Sequence, residues 1–279
     1  MLNWFEGDVH TNGVRLHYYR SGGDTPPLVM VHGFTDNALY WTRAAQALAL
    51  EWDVILYDAR GHGTSDRAGG RFGDAERVGD LIGLVEALKL HRPGLIGHSM
   101  GGATIALAAA QHPQLPRFVI LEDPAWFEPP PDEPAEQAAQ RVATRSNEIA
   151  VWREWVRGLQ TGTREFGLAQ IRARSPNWSE IDQNLSLNAR LQVELTVFDS
   201  YPQQQSPWRN LVSQIQCPIL LLIGDNPERS AIITPEQAQE AATLWREGRW
   251  VQIRGAGHSI RYDQFEQYIE AVRSFLPGM

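Results

Sequence analysis

Five short apolar runs limit what this chain of 279 residues can fold into. They are Leu28-Val29-Met30-Val31, Val54-Ile55-Leu56-Tyr57, Gly94-Leu95-Ile96-Gly97, Phe118-Val119-Ile120-Leu121 and Ile219-Leu220-Leu221-Leu222-Ile223. None alternates with polar residues, so each reads as a strand covered on both faces, the habit of a parallel sheet. Helical patterns separate them. Val78, Leu81, Ile82, Val85 and Leu88 form one apolar stripe, and Ala103 to Gln111 is rich in helix formers and ends before Pro113. Pro235 to Glu247 and Phe265 to Phe275 read as two late helices. Ahead of all this, Asn12-Gly13 between Val9-His10-Thr11 and Val14 to Tyr19 predicts a tight hairpin. Strand and helix in alternation predict an α/β fold with a mostly parallel, doubly wound sheet.

One stretch breaks the alternation. From Trp126 to Asn210 no strand pattern occurs; the segment opens on Pro129-Pro130-Pro131 and then shows helical spacing at Trp152, Trp155, Val156 and Leu159. A connection of this length without structure of its own is uncommon in a compact domain. The expected organisation is a core of residues 1–125 and 211–279, with a helical cap of residues 126–210 inserted after the sixth strand.

Composition excludes several classes. The chain has 25 basic and 33 acidic side chains, a net charge of −8, which argues against sequence-independent nucleic-acid binding. A single cysteine, Cys217, allows neither an internal disulfide framework nor a cysteine-built zinc site. No apolar run approaches the roughly 18 residues of a membrane helix, and no basic leader precedes an apolar stretch at the start. The expectation is a cytoplasmic protein with no membrane or nucleic-acid partner and no cofactor or metal.

The chemistry concentrates in Gly97-His98-Ser99-Met100-Gly101, between a strand and a helix. A serine on such a sharp turn projects its hydroxyl above the carboxyl edge of the sheet, and the helix N-terminus behind it favours developing negative charge. A serine nucleophile needs a base, and the base needs an orienting acid. His258 is the candidate base: it follows the last strand pattern, Val251 to Arg254, within Gly255-Ala256-Gly257-His258-Ser259. The acid is expected on the loop after Ile223, where Gly224-Asp225-Asn226-Pro227-Glu228 offers Asp225.

These motifs, with His32-Gly33-Phe34 and the run Asp58 to Ser65, resemble the capped α/β-hydrolases across essentially the whole chain outside the cap. The resemblance implies an oxyanion hole made by the backbone N–H groups of Phe34 and Met100. It also leaves the acid open. Members usually carry it three residues after the glycine that ends the strand, which is Pro227 here, flanked by Asp225 and Glu228. Some relatives carry it at the end of the preceding strand, where Asp123 stands. Asp58 to Ser65 is expected to be a structural turn. A serine at position 99 sets the chain apart from relatives with an aspartate nucleophile, such as haloalkane dehalogenases and epoxide hydrolases.

The implied function is a serine hydrolase acting through an acyl-enzyme on a small or medium, largely apolar carboxylic ester. The same residues would also serve a lactonase, a carbon–carbon bond hydrolase or a perhydrolase. Two readings of other classes remain: a ligand-sensing binding protein and a cofactor-free oxygenase. Trp126, Phe127, Trp152 and Trp155 are the expected pocket walls, with Phe34 beside them. Arginines aimed at the pocket, with Arg172 and Arg174 the candidates, would indicate an anionic substrate instead.

Overall fold

The computed structural model describes residues 4–127, 133–200 and 207–276. The Pro129-Pro130-Pro131 run lies outside them. Eight strands form one sheet: β1 (Phe5–Thr11), β2 (Val14–Arg20), β3 (Pro27–Val31), β4 (Asp53–Tyr57), β5 (Gly94–His98), β6 (Val119–Glu122), β7 (Ile219–Gly224) and β8 (Gly248–Ile253). Their spatial order is β1-β2-β4-β3-β5-β6-β7-β8, antiparallel from β1 to β4 and parallel thereafter. The hairpin turns on Asn12 and Gly13, both at positive φ (49° and 78°), as a two-residue connection requires.

Continuous hydrophobicity in the strands has its expected cause. Val29 and Val31 face one core layer while Leu28 and Met30 face the other. The first layer is closed by α2 (Asp74–Ala87), α3 (Met100–Gln111), α8 (Trp208–Gln214) and α9 (Pro235–Leu244). The second is closed by α1 (Thr42–Leu48), α10 (Ile260–Asp263) and α11 (Phe265–Phe275). The chain leaves β3 toward β4 on one side and returns to β5 on the other, so the sheet changes winding direction between β3 and β5. Ligands of open α/β sheets gather at such a switch point, beyond the strands' carboxyl ends.

Between β6 and α8 lie α4 (Ala135–Thr161), α5 (Arg164–Arg174), α6 (Glu180–Gln192) and α7 (Val197–Ser200). Ile149, Val156, Val193, Val197 and Phe198 of this insertion pack on Phe34, Phe72 and Met100, so it sits on the loops that leave β3 and β5. Two tryptophans lie elsewhere than expected. Trp126 and Trp208, taken for cap residues, stack on each other with ring centroids 5.2 Å apart and belong to the main core. Stacked indoles carry a large apolar area into the core, which is what holds both rings there. Trp126 and Trp208 therefore pack as core residues at the two ends of the expected 126–210 segment.

Candidate active site

Ser99 sits between β5 and α3 at φ 52° and ψ −116°, a conformation costly for any residue with a side chain. Its neighbours explain how the turn closes. A Cβ on Gly101 would lie 2.1 Å from the carbonyl oxygen of Val31, and one on Gly97 would lie 2.5 Å from the backbone of Gly101. Only glycine lets β3, the turn and α3 approach this closely. The Ser99 amide donates to Glu122 O at 3.0 Å, and Ser99 O accepts from Ala103 and Ala125 at 3.0 Å each. The strained residue is thereby held on both sides.

His258 and Ser99 line one cavity. The ring of His258 is oriented by Asp123, not by the expected Asp225: Nδ1 lies 2.6 Å from Asp123 Oδ2. Asp123 is fully buried, at positive φ, immediately after β6. Its carboxylate also accepts from the amides of Ile232 (2.9 Å) and Ile233 (2.9 Å). Burial disfavours a charged His258, but the hydrogen bond and charge of Asp123, helped by Asp36 and Glu122, outweigh it and raise the imidazole above its ordinary value.

Asp225 does other work. It is exposed, and its carboxylate accepts from Gly255 N at 2.7 Å while its own amide donates to Ala256 O. Glu228 is likewise exposed, on the single turn Pro227–Arg229. This loop supports the histidine from behind, since Arg229 O accepts from His258 N at 3.0 Å. The sequence offered Glu122-Asp123-Pro124 as an alternative, but no local pattern distinguishes Asp123 from a hinge residue. Its role depends on β6 lying beside β7 in the sheet.

The loop after β3 is pinned by histidines. His32 Nδ1 donates to Gly33 O at 2.7 Å and its Nε2 accepts from Ala59 N at 3.0 Å, the pattern of a neutral ring. Burial, then the neighbouring His62, push its pKa down to about 3. Gly33 O also accepts from Asp36 N, so the peptide that carries the Phe34 N–H is fixed through its carbonyl. His62 holds Phe34 O at 2.5 Å. The run Asp58 to Ser65 bonds its own and neighbouring backbone: Asp58 accepts from Ala38 N and Thr64 N, and Ser65 Oγ donates to Asp58 O.

Beneath His258 runs a second set of buried charges. Arg261 donates to Glu122 through its side chain (2.8 Å) and its amide (3.0 Å), which ties the β6 terminus to the loop that bears the histidine. Asp263 accepts from Gly257 N (2.8 Å), from Arg229 Nη2 (2.6 Å) and from Trp178 Nε1 of the insertion (2.8 Å). Trp178 stacks on Tyr262 at 4.8 Å.

The cavity holds about 480 Å³. Phe127, Trp152 and Trp155 line it as expected, with Ile149 and Ile232. Trp126 does not. It borders only an adjoining hollow of about 850 Å³ that reaches neither Ser99 nor His258, because its stacking on Trp208 turns it toward the core. Phe34 is buried against Phe198 (4.7 Å) and Trp152 (5.2 Å), beneath the insertion. Three arginines also line the cavity with one acid, Glu148: Arg174, a candidate from the sequence, and Arg145 and Arg190, which the sequence did not single out. Arg172 is absent from the lining and instead approaches Glu180 at 3.9 Å. Among the described residues, no three His, Cys, Asp or Glu side chains are grouped to hold a metal ion. No helix there is long and apolar enough to cross a membrane.

A strand order of this kind, a strained serine on the turn after its fifth strand and a histidine on the loop after its last define the alpha/beta hydrolase fold. The profile of that family matches residues 26–264, and the chain belongs to it. Among curated proteins it is similar to the N-formylmaleamate deformylase of Pseudomonas putida, 27% identical over 278 residues, which covers 97% of this chain and 96% of that protein. Its fold is shared by the enol-lactonase from Burkholderia xenovorans LB400, with TM-score 0.75, 24% identity and coverage of 97% and 100% of the two chains. It is shared equally by carboxylesterase CesB from Bacillus subtilis, with TM-score 0.72, 18% identity and coverage of 100% and 93%.

Proposed function

We propose that this hydrolase cleaves a small carboxylic ester or lactone through an acyl-enzyme formed on Ser99. The observation that carries this reading is the 2.6 Å contact of Asp123 with His258 Nδ1, in a cavity that His258 shares with Ser99. With Nδ1 committed to the carboxylate, Nε2 is the nitrogen left to take the serine proton. Ser99 Oγ then attacks the carbonyl carbon, and the backbone N–H groups of Phe34 and Met100 receive the charge that develops on its oxygen. His258 returns the proton to the leaving oxygen. A water, deprotonated by the same imidazole, releases the acid and restores the serine. Asp123 stays ionised throughout and stabilises the imidazolium. A cavity of about 480 Å³ suits a substrate of modest size, processed as a soluble small molecule in the cytoplasm.

Likeness to an N-formylmaleamate deformylase over nearly the full chain favours a second reading, amide cleavage by the same residues. Steady-state hydrolysis of p-nitrophenyl esters from acetate to decanoate, with wild type and Ser99→Ala in parallel, tests the proposal. The expected result is turnover of short chains and a loss of at least roughly a thousandfold in the variant. Full activity in Ser99→Ala would sink the covalent mechanism and favour base-only chemistry on His258.

A further inference from the structure

We infer that the substrate is anionic: its carboxylate is held by Arg174 and Arg190 of the insertion while its acyl carbon meets Ser99. This rests on the hydrolase reading above and adds the substrate class to it. Both guanidiniums line the cavity that contains Ser99 and His258. Both lie over one indole, Arg174 at 4.1 Å and Arg190 at 5.7 Å from the ring centre of Trp155.

What sets this pair apart is the lack of a carboxylate at the cavity wall; Arg164, which also has no acidic partner, is absent from the lining and bonds Asn184 and Asn188. Arg141, Arg153, Arg157 and Arg172 of the same insertion each face an acidic side chain within 4 Å. Arg174 has no ion pair among the described residues, and neither has Arg190, whose Nη1 donates only to Ser186 O and Oγ. The buried Nε of Arg190 has no partner at all. Asp36 feels the charge of Arg190, but its carboxylate is engaged by His98 and Gly33 N. Partial burial, and then the proximity of Arg190, lower the pKa of Arg174, so the two cations repel each other across the cavity wall. A carboxylate offsets that repulsion and accepts paired N–H donors from a planar guanidinium. Trp155 meanwhile fixes both groups from the side by stacking. Glu148, the acid on the lining, is on α4 and exposed. The cavity volume restricts the occupant to a short chain, such as a half-ester of a small dicarboxylic acid.

The test compares p-nitrophenyl hydrogen glutarate with its neutral methyl ester, at low ionic strength. Wild type is expected to favour the anion by about tenfold or more in kcat/KM, chiefly through KM. Arg174→Met/Arg190→Met, which keeps the apolar stems on Trp155, brings that ratio to about one. Arg174→Lys/Arg190→Lys keeps the charges and preserves a preference for the anion. A ratio near one in wild type, or a ratio unchanged in the double Met variant, overturns the inference. If wild type cleaves neither ester, the ester reading fails separately, and binding decides the anion site. Monomethyl glutarate should then quench tryptophan fluorescence of Ser99→Ala saturably, dimethyl glutarate should not, and the double Met change should abolish the effect. Equal responses to the two compounds would overturn it.

Discussion

The Nε2 of His98 lies 3.0 Å from the carbonyl oxygen of His258, so the residue before the serine holds the backbone of the residue that serves it. The two rings lie 4.6 Å apart, and the other nitrogen of His98 is 3.2 Å from Asp36. Replacing His98 with phenylalanine removes two buried hydrogen bonds, to His258 O and to Asp36, at roughly 1 kcal/mol or more each. If that support positions His258, the loss is expected in kcat, about tenfold, with KM nearly unchanged. Steady-state kinetics on p-nitrophenyl butyrate check the split.

Asp123→Asn and Asp225→Asn should differ sharply. In Asp123→Asn the side-chain amide can still accept from the amides of Ile232 and Ile233 but no longer carries the charge that steadies an imidazolium. The expected effect is a loss in kcat of about 10⁴-fold with the fold retained. Asp225→Asn removes only an exposed contact to Gly255 N, and the expected loss is less than about threefold. Similar effects from both substitutions would reassign the acid.

The pH profile follows from the same pair. His258 must be neutral to accept the serine proton, and Asp123 raises its pKa. Activity should therefore fall on the acid side, with an inflection in kcat/KM above the ordinary imidazole value. In Asp123→Asn the residual activity should show that inflection shifted downward. A profile identical in both proteins would detach Asp123 from the titrating base.

His32 predicts a pH dependence of stability with the opposite origin. Its folded pKa is depressed to about 3, so between roughly 6.5 and 3 the unfolded chain binds a proton that the folded protein refuses. Stability contributed by this group is complete above pH 6.5 and declines as the pH falls, by about 2 kcal/mol at pH 5. Urea denaturation at pH 7 and pH 5, with the His32 ring followed by NMR, checks it. A His32 resonance that titrates near 6.5 in the folded state would contradict the assignment.

Gly101→Ala should cost the fold rather than the chemistry alone. The new methyl group would overlap the carbonyl oxygens of Val31 and His32, both backbone atoms of a central region that cannot move aside. A destabilisation above about 3 kcal/mol is expected, read as a large drop in melting temperature.

Much of this architecture was legible because it rests on local signals. The five apolar runs became β3 to β7, and Asn12-Gly13 became the hairpin turn, since burial on two faces and positive φ both leave marks on residue type. Ser99 and His258 were readable for the same reason: glycines report close backbone approach. Asp123 was offered only as an alternative to Asp225, because its partnership with His258 spans 135 residues and depends on which strands become neighbours. The placement of Trp126 failed in the same way. An indole far along the chain, Trp208, decides where its ring lies. Of the cavity's arginines only Arg174 was among the candidates; Arg145 and Arg190 were hidden, as the face a surface arginine presents depends on packing among α4, α5 and α6.

Trp178 ties the insertion to Asp263, and Asp263 grips the loop of His258. Lifting the helices as a body would thus unfasten the loop of His258 at the moment a substrate arrives. Admission by the turning of individual side chains, with the helices staying in place, leaves that anchorage intact.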